Sequence, residues 1–274
     1  MIRLRFWGVR GSTPTPQLEN LRYGGNTSCL ELRLPDQPPV IFDAGSGLRN
    51  LGAALLKEAN GASLDLKVFL THFHWDHIQG IPFFAPLYGP ANRVAFHSHS
   101  ENGSIEEILQ GQMARPYYPI EMSSVAARRE FADLVSRPVT FSGVTVRPFP
   151  LNHPQGAVGY RIEYGKTAIV YATDLEHGHP QLDAVLRDYA ANADLLIYDA
   201  QYTPEEYETH RHWGHSTWLE AIRTARDARV KRVLLFHHDP AHDDEFMDGM
   251  GDAARAEFAE AGPAQEGSVI EFAE

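Results

Sequence analysis

The chain has 274 residues, and its 43% hydrophobic content is enough to fill one sizeable core, a length that layered α/β enzymes reach as a single unit. Its 36 Asp and Glu outnumber 24 Lys and Arg for a formal charge of −12, which argues against a broad footprint for long nucleic acid and favours a small anionic substrate. Arg3 and Arg5 interrupt the opening where a secretory leader needs an apolar stretch, and nowhere do about 18 apolar residues run together, so the expectation is a soluble, cytoplasmic protein with no membrane partner. A lone Cys29 cannot form an internal disulfide and reads as a buried small residue in a reducing compartment.

In chain order, Arg3 to Trp7, Ser28 to Leu34 and Val40 to Asp43 read as strands, separated by turn-rich segments such as Gly24-Gly25-Asn26, and Leu48 to Glu58 reads as a helix. Leu66 to Leu70 is a compact apolar strand that runs straight into a His-rich segment and delivers it to one sheet edge. Val94 to His97 is the next strand and Ser104 to Met113 the next helix. Arg115 to Glu130, with Pro116-Tyr117-Tyr118-Pro119 inside it, reads as an excursion over the site, where Arg115, Tyr117 and Tyr118 are candidates to contact a phosphate and a ring. Strands follow at Val144 to Phe149, Val158 to Tyr164, Thr167 to Ala172, Leu195 to Tyr198, Val233 to Phe236 and Val269 to Phe272. Helices are expected at Gln181 to Ala191, Ser216 to Ala228 and Asp243 to Ala261. Strand runs with helices between and after them predict one α/β domain over residues 1–274, two packed sheets with helices outside, an αββα four-layer sandwich.

The segment His72-Phe73-His74-Trp75-Asp76-His77 carries the chemistry. Residues two apart on an extended backbone point the same way, so His72 and His74 share a side, and Asp76 and His77 follow where a helix begins. Imidazole with carboxylate and no thiolate suits a catalytic site for zinc, or for manganese or iron, better than one for calcium or magnesium.

This motif resembles the His-x-His-x-Asp-His signature of the metallo-β-lactamase superfamily, and later segments match in order: Asn152-His153-Pro154, Ala172-Thr173-Asp174, and Phe236-His237-His238-Asp239-Pro240. The resemblance implies two divalent metal ions, the first on His72, His74 and His153, the second on Asp76, His77 and His237, with Asp174 bridging them. It implies ions roughly 3.5 to 4 Å apart, sharing a hydroxide nucleophile. A one-residue shift exchanges His237 and His238, and the resemblance of the His237 to Pro240 segment to ribonuclease Z implies His237 as the ligand. Asp43, opening Ala44-Gly45-Ser46-Gly47, matches the family's Asp-x-Gly turn and is expected to play a structural role, bonding either the backbone or a ligand imidazole and orienting the metal loop.

Within the superfamily, Tyr198-Asp199-Ala200 followed by Gly214-His215-Ser216-Thr217 resembles paired motifs of the ribonuclease Z branch, where the His assists phosphodiester cleavage and the acid orients it. The resemblance implies His215, Asp199 and Asp76 as catalytic residues, although the acid here is Asp where that family has Glu. No Gly/Pro-rich basic arm is evident, and the overall size is nearer the small cyclic-phosphodiesterase relatives and pyrroloquinoline quinone protein B. The expected activity is therefore hydrolysis of a small cyclic or linear nucleotide-like phosphodiester, with a homodimer implied by the family. An acyl hydrolase of the lactonase or β-lactamase kind, or a non-hydrolytic coenzyme-biosynthesis or redox protein on the same ligands, remains an open alternative.

Overall fold

The computed structural model describes residues 1–35, 37–134 and 137–273. The first part of the chain supplies β1 (Ile2–Gly8), β2 (Cys29–Arg33), β3 (Val40–Phe42), α1 (Gly47–Ala59), β4 (Asp65–Phe69) and α2 (Trp75–Ile78). After these come β5 (Arg93–Ser98), α3 (Ile105–Gln112), β6 (Arg128–Asp133), β7 (Val139–Phe141), β8 (Val144–Leu151), β9 (Ala157–Tyr164) and β10 (Thr167–Ala172). The remainder is α4 (Pro180–Ala190), β11 (Leu195–Asp199), α5 (Pro204–Tyr207), α6 (Trp218–Asp227), β12 (Val233–Phe236), α7 (Asp244–Glu257), β13 (Ala261–Pro263) and β14 (Val269–Phe272).

Two seven-stranded sheets result, in the orders β14-β1-β2-β3-β4-β5-β6 and β13-β12-β11-β10-β9-β8-β7. The period-2 alternation of side chains explains how they stack. On β10, Ile169 and Tyr171 face the first sheet, while Ala168, Val170 and Ala172 face the helices. The inner core joins Phe6, Phe42 and Phe69 of one sheet to Tyr160, Ile197 and Phe236 of the other. Outside the first sheet, Leu48 and Leu51 of α1 and Leu109 of α3 cover Val68, Val94 and Phe96. Outside the second, Leu186 of α4, Ile222 of α6 and Met247 of α7 cover Leu196 and Leu235. This is the αββα sandwich that the element pattern predicts, and among the described residues no helix is long and apolar enough to cross a membrane.

The differences from the sequence reading lie at edges and ends. Residues 128–130, placed by sequence in the excursion, belong to β6, an edge strand whose charges screen it from further pairing and whose Glu130 accepts from Arg93 on β5. The strands β7 and β13 and the one-turn helices α2 and α5 are too short to leave a periodic signal. The helix expected from Ser216 begins at Trp218, capped by Thr217, whose side chain accepts from the Glu220 N–H at 3.2 Å. The last helix stops at Glu257 because Ala261 is taken up in parallel pairing with Val233.

Strand direction then sets where chemistry collects. The strands β3, β4 and β5 run parallel in one sheet, and β10, β11 and β12 in the other. Asp43, Thr71-His72, Asp174, Asp199 and His237 lie at or just beyond the carboxyl ends of β3, β4, β10, β11 and β12, on one rim of the sandwich. His153 follows β8, which runs antiparallel to β9 and so ends on the same rim.

Candidate metal centre

Two groups of ligand-type atoms meet on this rim. His72, His74 and His153 form one and Asp76, His77, Asp174 and His237 the other, the donor atoms within each group lying within 4.8 Å of one another. Asp174 spans the two, with Oδ1 3.7 Å from His72 Nε2 and 3.2 Å from His237 Nε2, and Oδ2 3.1 Å from His77 Nε2. Asp76 Oδ2 lies 3.1 Å from His237 Nε2 and 3.3 Å from His77 Nε2, and accepts from the Ser12 N–H at 2.8 Å.

The outer nitrogens of the imidazoles are committed elsewhere. His77 Nδ1 donates to Asp43 at 2.9 Å, and His153 Nδ1 to the Gly214 carbonyl at 2.8 Å. His237 Nδ1 donates to Gln201 Oε1 at 2.9 Å, that amide's nitrogen being engaged with Asp239. The Thr71 hydroxyl spends its one hydrogen on Asp43 and so accepts from His72 Nδ1, 3.1 Å away. These four rings thereby turn their remaining nitrogen inward. His77 Nε2 faces His237 Nε2 at 3.3 Å, His74 Nδ1 faces His153 Nε2 at 3.1 Å, and buried His72 Nε2 has no hydrogen-bond partner. Lone pairs that face each other at such distances need positive charge between them, and these donor types fit divalent cations of the zinc class.

The electrostatics agree. Burial drives the His72 imidazole well below its usual range and that of His153 down to about 4, which keeps both neutral. Burial opposes protonation of His237 as well, yet the Asp174, Asp76 and Asp199 carboxylates outweigh it and push the group up to about 9. His77 is raised in the same way by Asp174, Asp76 and Asp43 against burial. The acidic half of the site thus draws protons where a bound cation would satisfy the same field.

Three of these residues, Asp43 (φ 58°), Asp174 (φ 57°) and His237 (φ 63°), adopt left-handed backbone, a strain the surrounding bonds must hold. Asp199 supplies one such bond, since its Oδ2 accepts the Asp174 N–H at 3.0 Å. The same oxygen accepts from His215 Nδ1 at 2.9 Å, while Oδ1 accepts from the Ser216 and Gln201 N–H groups. With both oxygens bonded to the chain, fully buried Asp199 anchors neighbours, although it sits in a ligand-like group with Asp174, His215 and His237. The His215 ring lies 4.8 Å from that of His237 and 5.4 Å from that of His153, with 12% of its side chain exposed.

The nine residues expected from the sequence as ligands or catalytic groups, His72, His74, Asp76, His77, His153, Asp174, Asp199, His215 and His237, meet here. The choice between neighbours is resolved by geometry: His237 enters the cluster, whereas the His238 ring donates Nε2–H to the Ala264 carbonyl, and burial lowers it to about 3. Arg115, Tyr117 and Tyr118 do not line the cavity beside the cluster; Tyr117 is 78% exposed, the Arg115 side chain 81% exposed, and the Tyr118 hydroxyl donates to the Pro82 carbonyl. Sequence reasoning missed Thr71, Gln201 and Glu176. The Glu176 carboxylate accepts from the His212 and Gly214 N–H groups and the Tyr207 hydroxyl, fixing the loop that carries His215. Gly11 was missed too: a Cβ there would meet the His237 ring at 2.4 Å.

Comparison with known proteins places this geometry. Ribonuclease Z of Haloarcula marismortui is 24% identical over 304 aligned positions that take in 92% of this chain and 92% of the relative. The metallo-β-lactamase fold protein YhfI from Bacillus subtilis superposes with a TM-score of 0.72 at 22% identity, covering 99% of each chain. A diphosphatase of the PhnP family also superposes at 0.72, with 19% identity over 100% of this chain and 98% of its own. The profile of the β-lactamase superfamily domain matches residues 39–238, which span the cluster from Asp43 to His237, and the chain belongs to that superfamily.

Proposed function

We propose that the chain is a metal-dependent phosphodiesterase that holds two divalent ions, zinc foremost, and cleaves a small cyclic or linear nucleotide-like phosphodiester. His72, His74 and His153 hold one ion, Asp76, His77 and His237 the other, and Asp174 lies between them. Bound there, the ions supply Lewis acidity toward the phosphoryl oxygens and activate water as the nucleophile.

The observation that carries the reading is His215, set beside both ligand groups and held at Nδ1 by Asp199 at 2.9 Å. That bond fixes the tautomer and orientation and leaves Nε2 to deliver a proton to the departing alkoxide. The name of the Haloarcula relative supports phosphodiester chemistry, and the net charge of −12 supports a small substrate over a long RNA.

The test is hydrolysis of bis(p-nitrophenyl) phosphate beside a lactone and a β-lactam, with wild type, His215→Ala and Asp174→Ala compared at matched metal content. Phosphodiester turnover is expected to fall roughly 10²- to 10⁴-fold in His215→Ala and to disappear in Asp174→Ala. Acyl turnover indifferent to His215, with no phosphodiester cleavage, overturns the reading in favour of an acyl hydrolase.

A further inference from the structure

A cavity of about 430 Å³ opens beside the metal cluster and shares His72 and His74 with it. Its walls divide by chemistry. Phe73, Ile108, Leu151 and Val158 make an apolar floor, while Glu101 and Gln155 stand at the polar rim, and among the described residues no Lys or Arg lines it.

These walls are well supported. Leu151 and Val158 are buried strand residues, and Ile108 projects from α3, whose start is closed by a reciprocal Ser104–Glu107 capping box. Gln155 is held in left-handed backbone (φ 67°) in the tight turn that follows His153, closed by the Gly156 N–H on the His153 carbonyl at 3.0 Å. The rim of the cavity and the candidate ligands are therefore parts of the same loops.

A phosphodiester carries two organic substituents on one phosphorus. With phosphorus at the His/Asp cluster, a substituent directed past His72 and His74 enters this cavity. Apolar walls gain by covering an uncharged ring, whereas an anion placed there loses water, finds no Lys or Arg and meets the Glu101 carboxylate, the His99 imidazole on the wall being already bonded to Asp133 at 2.8 Å. We infer that the cavity receives an uncharged, predominantly apolar ring esterified to the phosphate, and that it discriminates against a substituent bearing a second negative charge. The inference rests on the phosphodiesterase reading and names the substrate class within it.

The experiment measures calorimetric affinities of the zinc-loaded protein for methylphosphonate, phenylphosphonate and 4-carboxyphenylphosphonate, which place the same head group at the cluster. Phenylphosphonate is expected to bind at least tenfold more tightly than the other two. Ile108→Asp collapses the phenyl-to-methyl ratio toward one, and Glu101→Lys narrows the phenyl-to-carboxyphenyl ratio about tenfold. Equal affinities in wild type, or ratios that neither substitution moves, overturn the inference. Expected affinity ratios without any phosphodiester turnover leave the cavity assignment standing and remove the activity; turnover with equal affinities or with no phosphonate binding does the reverse; neither binding nor turnover overturns both.

Discussion

Asp43 concentrates the residue-scale logic of the site. Its carboxylate, fully buried, accepts from the Thr71 N–H at 2.8 Å, the Thr71 hydroxyl, the Tyr171 hydroxyl at 2.7 Å and His77 Nδ1 at 2.9 Å. It thereby fixes the tautomer of His77 directly and that of His72 through Thr71. Asp43→Asn keeps the shape but can offer an N–H where His77 needs an acceptor, so the inward lone pair is no longer guaranteed. Metal affinity, read by competition with a chromophoric chelator, is expected to fall about 10- to 100-fold with little change in secondary structure. Unchanged affinity shows that Asp43 serves only the turn. The carboxylate itself was legible in the sequence as a turn acid; its partners Thr71 and Tyr171 were not, because hydrogen bonds across sheets leave no mark on local spacing.

Individual elements carry burdens unrelated to the metal. On β5, His97 is buried, stacks on Phe69 of β4 at 4.6 Å, and has neither ring nitrogen in a hydrogen bond. Burial, aided by Lys67 and Arg93, lowers its imidazole to about 4. A histidine whose folded value lies below its unfolded one binds fewer protons folded than unfolded between the two. Its neutral form is therefore fully tolerated above pH 6.5, and stability is lost as pH falls from 6.5 to 4, by on the order of 3 kcal/mol at the most. His97→Phe keeps the stacking and removes the titration. Denaturant melts of both proteins from pH 7 to 4 should show a steeper acid loss in wild type; parallel curves place the acid sensitivity elsewhere. The strands β4 and β5 were visible as apolar runs, but which face of β5 turns inward depends on its register with β4, Phe69 lying opposite His97.

At the scale of the whole molecule, the candidate metal centre ties the two sheets together at one rim. Ligand positions on the loop after β4 belong to the first sheet, and those after β8, β10 and β12 to the second. Ions held there stabilise the native state by mass action, by about 4 kcal/mol at a free concentration a thousand times the dissociation constant. Chelation is expected to lower Tm by on the order of 10 °C, with one calorimetric transition in both states if residues 1–274 unfold as one domain. An unchanged Tm at stoichiometric metal loading removes the ions from the stability of the sandwich, and two transitions overturn the single-domain reading.

The sequence by itself determined what short-range order controls. A single loop from His72 to His77 supplies ligand-type residues to both groups because they lie within six residues of one another, and the period-2 strands are legible because each buries one face on its own helices and the other on the opposite sheet. The tertiary structure alone decided between His237 and His238, since parallel pairing of β12 with β11, Asp199 opposite Phe236, sets which side of the strand end faces the cluster. It also turned Arg115 and Tyr117 out to solvent and brought Ile108 and Gln155 around one cavity. Those two come from segments far apart in the chain, and only the packing of loops from both sheets on a common rim brings them together.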